Sequence, residues 1–160
     1  ATLPFTRNVI GPMDYTPCAF SDSQHPHITT NPHELALTVL FESGLQHIAD
    51  RPESLLAQPQ EVKDFFSELP VAWDETKFVC GYPGEYVVLA RRKGTTWYIA
   101  GINGTNEVKS INVNLDFIGQ SSDIQAFFDD DENGWKIEHL EKLPQNIACM
   151  ARGGFLIVIK

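Results

Sequence analysis

Cysteine is scarce in this chain. Cys18, Cys80 and Cys149 stand far apart in 160 residues, with no C-x-x-C pair among them. That excludes a disulfide framework and a zinc knuckle, and leaves each thiol as a small apolar side chain suited to burial. Long apolar runs are also lacking; none approaches the roughly 18 residues of a membrane helix. Basic charge is thin: 12 Lys and Arg stand against 21 Asp and Glu, for a net charge of −9 and a pI near 4.9. A surface of that sign repels a phosphate backbone, so nucleic-acid binding is not expected. The one basic triplet, Arg91 to Lys93, stops at Gly94 as the end of a strand would. An initiator Met and a charged-then-apolar leader are missing before Ala1, and the expectation is that the sequence begins inside a longer protein. What remains is ordinary for a globular chain, with 42% hydrophobic and 21% charged residues.

Two periodicities divide the sequence. From Thr76 onward it alternates between short strands and turns. Glu85 to Arg91 and Thr95 to Ile102 are rich in β-branched and aromatic residues, and Asn103-Gly104 has the chemistry of a type I′ hairpin turn. Glu107 to Leu115, Ile124 to Phe128, Trp135 to Leu140, Asn146 to Met150 and Phe155 to Ile159 continue at close spacing, with Gly153-Gly154 as the last tight turn. About eight antiparallel strands with apolar faces need two packed layers, hence a β-sandwich over 73–160.

Residues 1–72 follow a different grammar. Leu3 to Ile10 reads as a strand and His33 to Glu42 as a helix capped at Asn31, with Pro32 at its first turn. Leu45 to Ala49 reads as a second strand and Pro59 to Glu68 as an amphipathic helix built on Val62, Phe65, Phe66 and Leu69. The first helix is apolar nearly all round, so it must be covered on more than one side. Strand, loop, helix, strand, helix is too little to close a barrel or cover a parallel sheet. The fold class expected is therefore α+β: the last two βα units of a (β/α)8 barrel, incomplete, over 1–72, followed by the antiparallel sandwich. On this reading the helix at 33–42 and its strands need a missing barrel, and the isolated chain exposes a large apolar surface.

The stretch Leu3-Pro-Phe-Thr-Arg-Asn-Val-Ile-Gly-Pro-Met-Asp-Tyr-Thr-Pro17 resembles glycoside hydrolase family 97, bacterial α-glucosidases and α-galactosidases. The resemblance continues through His33 to Leu37, Phe41 to Gln46, Ala49 to Glu53, Val71 to Thr76 and, in the second half, Tyr86 to Asn103. It implies an N-terminal β-sandwich, a catalytic barrel and a C-terminal sandwich, of which this chain is the last part. It also implies paired carboxylates acting as general acid and as base or nucleophile. A calcium ion in the pocket, an oligosaccharide substrate and a periplasmic or secreted setting are implied as well. The catalytic carboxylates and calcium ligands are expected upstream of Ala1, so no catalytic or metal-binding residue is assigned in this chain.

Residues past the ends of barrel strands face the substrate pocket. That makes Arg7 and Asp14, around the first strand, and Gln46 and Asp50, around the second, the candidates for contacts to sugar hydroxyls. Arg7 paired with an acid, and Asp50 capping the turn at Arg51-Pro52, are the structural alternatives. His25, His27, Asp22 and His33 form a loose metal-like set on a Pro-bearing loop, better read as surface. Asp129, Asp131, Asn133 and Gly134 open like a calcium loop, but Leu140 stands where the bidentate Glu is needed. Trp97, Tyr98 and Trp135 would suit a sugar-stacking platform, although alternation sends Trp97 and Tyr98 to opposite faces. The competing function is a non-catalytic carbohydrate-binding or purely structural sandwich module.

Overall fold

The structure is a computed structural model that describes residues 1–22, 26–131 and 134–160. A six-stranded antiparallel sheet organises it. β1 (Glu75–Tyr82), β2 (Tyr86–Lys93), β3 (Thr96–Asn103), β5 (Ile124–Phe128), β6 (Lys136–His139) and β8 (Gly154–Ile159) lie in the order β1-β2-β3-β8-β5-β6. A two-stranded ribbon, β4 (Lys109–Asn112) with β7 (Asn146–Cys149), forms a small second layer. The sandwich is thus lopsided: the ribbon covers one face of the large sheet and helices cover the other.

Alternation in the central strands explains both layers. Val87, Leu89, Tyr98, Ala100, Ile102, Phe127, Leu156 and Val158 belong to the core shared with the helices. Their neighbours Val88, Ala90, Ile99, Ile124, Ala126, Phe155, Ile157 and Ile159 belong to the core under the ribbon, with Ile111, Val113 and Ile147. A strand buried on both faces reads as a continuous apolar run, and all six residues of β8 are buried.

The helices are α1 (Arg7–Ile10), α2 (Asn31–Leu40), α3 (Pro52–Leu56) and α4 (Gln60–Glu68). The cap of α2 is Thr30 rather than Asn31: its hydroxyl accepts a bond from the His33 N–H at 3.3 Å. Leu35, Ala36, Val39 and Leu40 are fully buried. They are covered by β3 and β8 on one side and by Phe41, Val62 and Phe65 in the same cluster. The expectation that this helix requires a missing barrel is therefore overturned, because the sheet of its own chain supplies the cover. At roughly 1.5–3 kcal/mol for each large apolar side chain removed from water, this face is a main source of cohesion between the two halves.

Three local expectations are also corrected. Leu3 to Ile10 is not a strand but a 3-10 turn, Leu3–Phe5, followed by α1. Pro4 stands in the first turn, Phe5 N–H reaches Thr2 O, and Val9 and Ile10 remain exposed, so no strand partner recruits them. Leu45 to Ala49 is extended, but its ladder is reduced to one bridge, Gln46 with Tyr15. Asn103-Gly104 is not a hairpin turn. Asn103 is wholly buried, its amide donating to the carbonyls of Glu107 and Met150 and accepting from Thr105, and there the chain leaves the large sheet for the ribbon.

The last turn also sits earlier than Gly153-Gly154. Gly153 N–H reaches Met150 O, with Arg152 in the left-handed region at φ 56°. Gly154 serves close approach instead: a Cβ there would lie 2.7 Å from His33 Cα and 2.8 Å from Gly101 O. No helix among the described residues is long and apolar enough to cross a membrane.

Candidate functional site

Two extended segments lie side by side and run in the same direction. Met13 N–H reaches Glu42 O at 2.9 Å, Tyr15 bridges Gln46, and Ala49 N–H reaches Pro17 O at 2.9 Å. Helix α2 lies between them in sequence, and Tyr15 with Gln46 makes the one parallel bridge of the pair among the described residues. Tyr15 packs edge-on against Phe41 at 4.7 Å, which seats the first segment on the end of α2.

The four candidate residues sit at different heights along this pair. Arg7 precedes it, donating to the carbonyls of Gly11 at 3.2 Å and Pro12 at 3.0 Å, and so folds α1 back onto the entry of the first segment. Asp14 is exposed near that entry. Gln46 lies midway: its Nε2 donates to Thr38 O at 2.7 Å, and its buried Oε1 has no partner among the described residues. Asp50 follows the second segment. It accepts from Phe20 N–H at 2.7 Å, Ser21 Oγ at 2.6 Å, Ser54 Oγ at 2.7 Å and Arg51 N–H at 2.8 Å. Burial opposes its charge, yet these bonds outweigh it and hold the carboxyl below its ordinary range. Asp50 therefore ties the loop after the first segment to the start of α3. The four side chains do not converge on one point.

The metal-like histidine set is dispersed. His25 lies outside the described residues. His27 is paired with Asp22, whose Oδ1 accepts from its backbone N–H at 3.0 Å. His33 is buried in the interior, with Nδ1 3.1 Å from Gly153 O. Of the calcium-like loop, Asn133 lies outside the described residues, and Asp129 turns inward to bond Thr30 Oγ1, Met150 N–H and Gly154 N–H. Among the described residues no three His, Cys, Asp or Glu side chains gather as a metal site. The aromatic platform is not assembled either. Tyr98 is buried, Trp97 meets Phe117 at 5.3 Å, and Trp135 packs on Phe20 while donating to Gln58 Oε1.

Two polar junctions were not anticipated. Thr30, His33 and Asp129 join the start of α2 to β5 and β8; burial pushes the Asp129 carboxyl up and the His33 imidazole down to about 4. At the other end of α2, buried Arg91 donates to Leu40 O at 3.3 Å, Glu42 Oε2 at 3.3 Å and Thr76 Oγ1 at 3.2 Å, and stacks over Trp73. The available signal was an arginine closing an otherwise apolar run, Tyr86 to Arg91.

Comparison with known proteins decides the family. The model described as "Glycosyl-hydrolase 97 C-terminal, oligomerisation" matches residues 72–160. This chain belongs to that family. A retaining α-galactosidase of Bacteroides thetaiotaomicron is 36% identical over 141 residues, 82% of this chain and 21% of the relative. A probable retaining α-galactosidase of Streptomyces bingchenggensis is 52% identical over 100 residues, 62% of this chain and 16% of the relative. The chain thus spans about a fifth of the length of these relatives. Among solved structures, a β-arabinopyranosidase superposes with a TM-score of 0.89 at 32% identity, over 98% of this chain and 26% of its own. A glycoside hydrolase family 97 enzyme from Pseudoalteromonas sp. strain K8 gives 0.86 at 28% identity, over 99% of this chain and 28% of its own.

Proposed function

We propose that this chain is the C-terminal part of a retaining α-galactosidase-type glycoside hydrolase, in which it terminates the catalytic barrel and supports assembly rather than chemistry. The observation that carries this reading is the 36% identity to a retaining α-galactosidase over 82% of the chain, and the parallel bridge between the segments at 13–17 and 45–49, on either side of α2, is compatible with a (β/α)8 barrel's last turns. Helix α2 lies between those segments in sequence and belongs to the core of the six-stranded sheet. In the whole protein α2 would then tie the end of the barrel to the C-terminal domain. The paired carboxylates that cleave the glycosidic bond belong upstream of Ala1, as does the calcium ion implied by the resemblance. Within a barrel, Asp50 and the Ser21 loop would lie on the catalytic face and Arg7 with Asp14 toward the opposite one, which makes Asp50 the candidate to shape the pocket rim. A periplasmic or secreted setting goes with the same reading.

The likeness to a β-arabinopyranosidase favours one variation. An arabinopyranoside lacks the exocyclic hydroxymethyl group of a galactoside, so the two substrates test the upstream pocket at one position. The experiment is hydrolysis of both glycosides by the full-length protein, followed by proton NMR of the first-formed anomer, beside the 160-residue chain alone. Hydrolysis with retained configuration by the full-length protein, and none by the chain alone, is expected. Turnover by the chain alone, or inversion by the full-length protein, overturns the assignment.

A further inference from the structure

The ribbon side of the molecule carries a cleft of about 840 Å³, walled by residues 112–122 and by the segment 141–145. That lies within the roughly 300–1,000 Å³ typical of small-molecule sites. Its floor is formed by Val113, Leu115, Ile118 and Ile124, and its rim by exposed polar side chains.

We propose that this cleft binds a neutral oligosaccharide. The rim chemistry selects the ligand class. Gln120, Gln145 and Ser122 contribute side chains that take no part in the hydrogen bonds among the described residues, and each offers both a donor and an acceptor. A sugar hydroxyl also donates and accepts, so amides and hydroxyls match it without a net charge. The charged residues at the rim, Asp116, Glu141 and Lys142, sum to −1, which disfavours an anion. Two separated carboxylates without a third ligand do not make a cation site.

The walls are held in place before any ligand arrives. Val113 N–H bonds Gln145 O at 2.9 Å, extending the β4–β7 ladder by one rung, and Ile118 N–H bonds Leu115 O at 2.9 Å. Asp116 N–H bonds Asn114 Oδ1 at 2.9 Å, and Ser121 Oγ bonds Lys160 O at 2.6 Å. Fixed walls reduce the ordering cost of binding. The cleft adjoins Lys160, beside the Trp97 end of β3.

The proposal does not rest on the catalytic reading, and its test reads the cleft directly. Hydrogen–deuterium exchange of the full-length protein is measured with cellotriose, a neutral β-linked trisaccharide that an α-galactosidase-type enzyme leaves intact, and, at equal mass, with glycerol. Cellotriose is expected to protect peptides covering 112–122 and 141–145, and the double variant Gln120→Ala/Gln145→Ala to weaken that protection at least tenfold in apparent affinity. Both positions are exposed, so an unchanged thermal midpoint separates lost binding from lost folding. Absent protection at these peptides, equal protection by glycerol, or protection that survives the double variant overturns the proposal, whatever the enzyme's activity.

Discussion

Lowering the pH should loosen helix α2 through a single side chain, His33. Its imidazole is 7% exposed, and burial holds its pKa near 4, with the Arg152 guanidinium pushing the same way. Nδ1 lies 3.1 Å from Gly153 O, so the neutral ring donates there. A depressed histidine pKa means that the folded state binds its proton later than the unfolded chain does. The stability it guards is complete above the unfolded value of about 6.5 and is lost as pH falls from there toward 4. With these two values, the loss at pH 4.5 relative to pH 7 is roughly 2–3 kcal/mol. The assay is urea denaturation at pH 7 and pH 4.5, for the parent chain and for His33→Gln. Gln retains an N–H for Gly153 O but does not titrate. The variant's stability should therefore fall by about 2 kcal/mol less than the parent's over that interval. Equal falls for the two proteins would refute the argument, because carboxylates held below their ordinary range, such as Asp50, would then account for the whole acid response.

Three further outcomes follow from the same packing. Arg91→Met should cost roughly 1–3 kcal/mol in urea denaturation, since Leu40 O and Thr76 lose a donor, while Glu42→Gln, whose carboxylate is 37% exposed, should cost under about 1; equal costs would mean the ion pair itself dominates. Gly154→Ala should destabilise by roughly 1–3 kcal/mol, because its Cβ meets the backbone of His33 and Gly101 rather than flexible side chains. A neutral result would show that α2 can lift from the sheet freely. Leu35→Ala should cost about 2–5 kcal/mol by calorimetry and raise hydrophobic-dye binding, whereas the parent chain binds little dye around α2. Strong dye binding by the parent would restore the idea that α2 lies bare.

The sheet was largely legible because its signals are local and redundant. Val87 to Ala90 and Phe155 to Ile159 are apolar at every position, the pattern of strands buried on both faces. Helix α2 was legible too, from Pro32 and an apolar circumference, but the identity of what covers it was not. Sequence periodicity states that a face must be buried and is silent about the partner, here β3 and β8 more than 50 residues away. Asn103-Gly104 failed for a related reason: a turn propensity worth a fraction of a kcal/mol yields to an asparagine whose amide completes four bonds in the interior. Leu3 to Ile10 failed because β-branched residues near its end suggested a ladder, while the parallel pair begins only at Met13. At the candidate site, residue types were legible and heights were not. Arg7 and Asp50 bracket the parallel pair from opposite ends, an arrangement that depends on where the extended segments begin.

The order β1-β2-β3-β8-β5-β6 has a consequence for a chain emerging from a ribosome. β8, the sheet's final strand in order of synthesis, is the one that lies between β3 and β5. Until residues 154–159 have been translated, the β1–β3 meander and the β5–β6 hairpin are separate rafts with their inner edges unpaired, and one flank of α2 has no floor. Nascent chains therefore wait on that strand with adhesive edges in the open, the condition in which chaperones engage and neighbouring polysomal copies cross-pair. A ribosome that stalls, or a protease that cuts, before Gly154 leaves two rafts with nothing to zip them together.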